Sequence, residues 1–150
     1  MKQVDEIIYD AIKADDDLMA AIGGRVVSTC FEVSPTEADN TPVPNIIVTD
    51  DGFQNLIGTK DNVWESGEDT VQASVDIAAD SPSEVKRLVR MVRKAVETHI
   101  CALYASGEQT PELESLTSDG IAWDWMKPCY YQKLTYQCIT NTDEDEQEEN

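Results

Sequence analysis

The chain has 150 residues, 41% of them hydrophobic, and carries 30 acidic side chains against 11 basic ones, a formal charge of −19. That length fits a single domain burying roughly two-thirds of the surface its unfolded chain exposes. So negative a field repels nucleic-acid phosphates and anionic membranes, and no apolar run approaches the ~20 residues of a membrane-spanning helix.

No charged-then-apolar segment of the secretory kind opens the sequence. Cysteines stand at 30, 101, 129 and 138, without a C-x-x-C pair and with one histidine in the whole chain. They lack the spacing of a zinc site and are expected to be reduced, mostly buried thiols in a cytoplasmic setting.

Val4, Ile7, Ile8 and Ala11 recur at helical spacing, with Asp5, Glu6 and Lys13 turned away. Asp15 would interrupt that apolar stripe, so it is read as the cap of a second short helix, Asp16 to Ile22. Gly23-Gly24 stops it, because glycine accepts the left-handed cap conformation at little cost. Arg25 to Phe31 reads as a strand. Glu32 to Pro44, with three prolines, reads as an exposed loop.

Asn45 to Thr49 is a short β-branched run ended by Asp50-Asp51-Gly52, and residues 53–69 are expected to form a long loop or loose hairpin. From Thr70 the alternation is clean: Val71, Ala73, Val75, Ile77 and Ala79 face one way, and Gln72, Ser74 and Asp76 the other. The strand runs straight into Ser81-Pro82-Ser83-Glu84, a capping box with proline at the first helical position.

Val85, Leu88, Val89, Val92, Val96, His99 and Leu103 then form one apolar stripe, within about 60° of its centre at 100° per residue. The opposite arc holds Lys86, Arg87, Arg90, Arg93 and Lys94, five of the eleven bases in nine residues. Gly107 to Gly120 reads as a polar loop. Ile121, Trp123 and Trp125 alternate with polar and small residues and suggest a strand, interrupted by Pro128. Tyr130, Leu134, Tyr136 and Cys138 share one face of a last strand. Residues 141–150 hold six acids and nothing apolar, and are expected to be a disordered tail.

Chemistry is harder to find. His99, the one candidate base for a nucleophile, falls on the apolar stripe, and no G-x-S-x-G elbow surrounds a serine. Carboxylate pairs for glycoside hydrolysis depend on distances that a sequence does not give. Asp15-Asp16-Asp17 lacks the alternation and mid-loop glycine of a calcium loop. Glu84-Val85-Lys86 has an E-x-K spacing known from nucleases, but it opens a helix where that chemistry uses a strand. Gly23-Gly24 has no phosphate-binding motif around it. Trp123 and Trp125 suit core packing better than a stacking platform. The expectation is a non-enzyme with no cofactor and no resident metal.

The cationic arc is the distinctive feature. It is either a solvated helix face or a patch that meets acidic surface on a neighbouring copy, which favours association and sets its register.

The order of elements resembles a known family. Asp15, Leu18, Ile22, Gly23, Gly24, Arg25 and Val26 make D-x-x-L-x-x-x-I-G-G-R-V. A proline-rich loop enters P-N-I-I-V at 44–48, and V-Q-A-S-V-D-I-A-A-D runs into S-P-S-E-V-K-R-L-V-R-M-V-R-K-A-V. An aromatic-rich strand closes the set. In this order, over residues 4–103 and more loosely 121–139, the chain resembles the tail-completion family of tailed bacteriophages, the tail terminator and head-to-tail joining proteins.

The resemblance implies one α+β domain over residues 1–140, a mainly antiparallel sheet with two or three helices packed on it. The longest of these helices spans about 81–103. It further implies a homo-oligomeric ring, typically a hexamer, in the virion neck, reached from the cytoplasm of the bacterial host, where a phage or a prophage encodes the protein. Partners would be the tail tube and head connector proteins, with DNA passing through unbound. No catalytic residue carries over. The 50–69 and 105–120 loops and the acidic tail depart from the family pattern, leaving open tail terminator, connector stopper or another neck protein. The alternative reading from charge alone is an acidic mimic of DNA that occupies a nucleic-acid-binding protein, although here the acids are scattered and the bases cluster.

Overall fold

A computed structural model describes residues 3–28, 34, 37–38, 40–55 and 68–141. In chain order these form α1 (Val4–Ala14), α2 (Asp16–Ala21), β1 (Val26–Ser28), β2 (Asn45–Asn55), β3 (Glu68–Ala79), α3 (Pro82–Ala105), β4 (Glu112–Asp124) and β5 (Cys129–Asn141). The strands make one five-stranded sheet in the order β1-β2-β3-β5-β4. Only β1 and β2 run parallel; the other neighbours are antiparallel. The expected α+β class is the one observed.

The sheet's register explains the core. Val48 lies opposite Val75, and Val75 opposite Leu134, while Ile46 faces Ile77 and Ala73 faces Tyr136. These side chains share one buried cluster with Ile8 and Ile12 of α1, Leu18 of α2, and Val85, Leu88, Val92 and Val96 of α3. The three helices therefore lie on one side of the sheet. The other side carries the alternate set, in which Thr49, Ser74, Thr135 and Thr117 stand in one cross-strand row. An amide ladder follows it: Gln72 Nε2 donates to Gln137 Oε1, and Gln137 Nε2 to Glu114 Oε2, each at 3.0 Å.

α3 begins where its sequence says it should. The Ser81 hydroxyl accepts from the Glu84 amide at 3.3 Å, and Pro82 opens the first turn. The apolar stripe is buried from Val85 to Val96, but His99 and Leu103 are only half-buried.

Several expectations are corrected. Asp50-Asp51-Gly52 does not end β2. It forms a bulge in which Asp50 Oδ1 accepts from the Gly52 amide at 2.8 Å, and pairing with β3 resumes to Asn55 opposite Asp69. Residues 53–55 and 68–69 are thus strand, and 56–67 lie outside the described residues. Residues 112–120, read as loop, belong to β4, an edge strand with register shifts at Leu113/Ser115 and Ser118/Ile121. Such breaks in a solvated strand erase the period-2 signal. Trp123 and Trp125 do not fill the core: they are 41% and 85% exposed. β1 is Val26–Ser28, and its expected continuation over 29–31, Cys30 and the tail from 142 onward lie outside the described residues. Cys129 and Cys138 are buried, whereas Cys101 is exposed.

Candidate assembly surface

The D-x-x-L-x-x-x-I-G-G-R-V segment sets α2 against the middle of α3. Asp15 Oδ1 caps α2 by accepting from the Leu18 amide at 3.0 Å, and Leu18 and Ile22 are fully buried anchors. Gly23 and Gly24 take φ of 60° and 74°, and the Gly24 amide donates to the Met19 carbonyl at 2.8 Å, closing the helix. Arg25 then ties the turn down. Its Nε donates to the Pro44 carbonyl at 2.9 Å, beside the cis Val43–Pro44 bond. A methyl group at Gly23 would fall 2.7 Å from the Arg25 guanidinium, so the G-G-R order also gives that side chain its path.

With α2 so placed, the outer face of α3 carries Lys86, Arg87, Arg90, Arg93 and Lys94, all exposed. The apolar stripe seats the helix on β3 and β5, and the cations therefore point away from the sheet. Arg87 Nη1 pairs with Glu84 Oε1 at 3.0 Å, an exposed contact one turn away that contributes little to stability. Between α2 and α3 lies a shallow groove of about 650 Å³. Ala20, Ala21 and Met91 give its lining an apolar part, and Arg87, Arg90 and Lys94 with Asp17 a charged one. Three of the five cations thus converge on one groove; Lys86 and Arg93 are not among its lining residues.

Beneath α3 the Tyr136 hydroxyl is buried without a hydrogen-bond partner among the described residues. Burial pushes its pKa up, Arg93 draws it down and Glu97 raises it again. Burial raises the Cys129 thiol, helped by Asp124 and opposed by Lys127. Among the described residues, no group of three or more His, Cys, Asp or Glu side chains could hold a metal ion, and no helix is long and apolar enough to cross a membrane.

A second groove, of about 720 Å³, lies on the sheet's other side. Ile47, Asp76 and Tyr131 line it from the strands, and Met126 and Lys127 from the β4–β5 turn. The Lys127 ammonium donates to the Thr41 carbonyl and draws that turn toward the segment before β2. Asp124 Oδ1 accepts from the Met126 amide at 2.9 Å and the Lys127 amide at 3.4 Å, so the turn is held by its own aspartate. On it Trp125 and Met126 are 85% and 94% exposed. Sequence reasoning singled out the cations of α3 and missed this tip, whose signal was the Asp-Trp-Met-Lys-Pro turn chemistry at 124–128.

No protein-family model and no curated protein matches the chain. Among solved structures, a chain in the virion of a native gene transfer agent particle is similar to it at 13% identity, with a TM-score of 0.45, over 92% of this chain and 94% of that one. At that identity and score the likeness assigns a role to no residue.

Proposed function

We propose that this chain is a structural, non-catalytic subunit of a tailed-phage particle, a tail terminator or head-to-tail joining protein that assembles into a homo-oligomeric ring, a hexamer on the family pattern. Residues 1–140 act as one assembly unit, whose partners are further copies, the tail tube and the head connector. The reading is carried by one observation: five exposed cations gather on the outer face of α3 in a chain of net charge −19. The rest of the chain holds six bases against its acids, so an acidic neighbour of the same sequence is always at hand. The ordered segments at 15–26, 44–48 and 70–96 support the family side of the proposal. An acidic lumen would let DNA slide past without adhering, because carboxylates repel phosphates.

Charge reversal tests the contact. Arg90→Glu with Arg93→Glu alters two exposed side chains and spares the buried stripe, so the domain folds while the oligomer seen by light scattering disappears. Rings of unchanged size in the double variant would remove α3 from the contact.

A further inference from the structure

A contact between copies has two sides, and the cationic face of α3 is one. We propose that the β4–β5 turn is the other: Trp125 and Met126 of one copy seat in the groove between α2 and α3 of the next. This rests on the ring reading and adds to it the surface that completes each junction.

Single exposed apolar side chains are ordinary on a protein surface. Two consecutive large ones, 85% and 94% exposed beside a half-exposed Trp123, are a concentration of another kind. Nor is the turn loose. Asp124 braces it through the Met126 and Lys127 amides, and Lys127 ties it to Thr41. A knob already held in place loses little freedom on docking. Tryptophan at the centre of a contact, with apolar neighbours excluding water, is the usual composition of an interface anchor.

The groove matches it in chemistry and charge. Ala20, Ala21 and Met91 give its lining small and flexible apolar side chains, and Met91 offers a thioether to the ring. Arg87, Arg90 and Lys94 of the lining can lie over the indole face, where the ring quadrupole attracts cations. Asp124, next to the knob, brings a carboxylate to the same cations. The two surfaces also lie on opposite sides of one sheet: Met126 lines the groove away from the helices, while α2 and α3 lie on the helical side. Such a pairing joins copies head to tail, the arrangement that closes into a ring when the rotation permits.

Three variants and one spectroscopic measurement decide it. Trp125→Ala with Met126→Ala removes the knob, and Ala20→Glu places a carboxylate in the apolar part of the groove lining; both are expected to yield monomers by native mass spectrometry. Phe53→Ala, on β2 and also largely solvent-exposed at 73%, is expected to keep the ring. In a chain whose other tryptophans are removed (Trp64→Phe, Trp123→Phe), Trp125 fluorescence should be shielded from acrylamide in the assembled form. It should be fully quenched once Arg90→Glu and Arg93→Glu disperse the copies. Wild-type-like rings from the knobless variant, or a fully quenched Trp125 within the ring, would overturn the docking while leaving the ring reading standing. A wild-type chain that is itself monomeric would overturn both.

Discussion

Tyr136 and Cys138 are neighbours on one face of β5 and illustrate how side chains of mixed character are kept in this core. The Tyr136 hydroxyl is buried with no partner among the described residues, so the ring contributes burial while the oxygen costs its lost hydration. Replacing Tyr136 with Phe is therefore expected to leave thermal stability unchanged or raise it by up to about 1 kcal/mol, whereas a clear loss would reveal a partner for the hydroxyl. Burial, reinforced by Glu114, pushes the Cys138 thiol from 9.0 up to about 11. A raised folded-state value means that the unfolded chain loses its proton first as pH climbs. The stability held by the protonated thiol is thus complete below pH 9 and lost as pH rises through about 11. The urea midpoint should fall over that interval, and fall less in Cys138→Ala; equal falls would mean that other groups titrate. Neither environment could be read from residue type, since burial of an aromatic hydroxyl or a thiol depends on what the fold lays over it.

At the scale of elements, legibility followed redundancy. α3 announced itself three ways, by its cap, its proline and its stripe, and the structure begins it at Pro82. The cap is open to a direct test: Ser81→Ala should cost about 1 kcal/mol in denaturant unfolding with the slope unchanged, and no loss would show that Glu84 and Pro82 suffice to start the helix. α2 and β3 were equally plain, the one from Asp15 and Gly23-Gly24, the other from strict alternation. β4 was not. As an edge strand it has few buried positions to mark one face, and its two register shifts move the apolar set from odd positions at Leu113 to even at Leu116 and back to odd at Ile121. The same mechanism hid the end of β2, where a bulge at Asp50/Gly52 resembles a turn in sequence but lets pairing continue. The cations of α3 were legible because helical period alone separates them from the valines. The exposed Trp125–Met126 tip was illegible because alternation predicts which residues share a face, not which face is covered.

For the whole molecule, charge and topology act together. A sheet with all three described helices on one side presents two unlike surfaces, and in a chain of −19 the outer arc of one helix concentrates five of the eleven cations. Association through them should be electrostatic in part, hence weakened as added salt shortens the Debye length from ~10 Å at 0.1 M to ~3 Å at 1 M. Isolated monomers should remain soluble throughout, since their net charge is far from zero. The most direct test is the mass of the intact wild-type particle, measured by native mass spectrometry at rising ammonium acetate concentration. A closed homo-oligomer at low ionic strength that gives way to monomer as salt increases is the expected result. Monomer at every ionic strength would contradict an α3 face built to meet another copy.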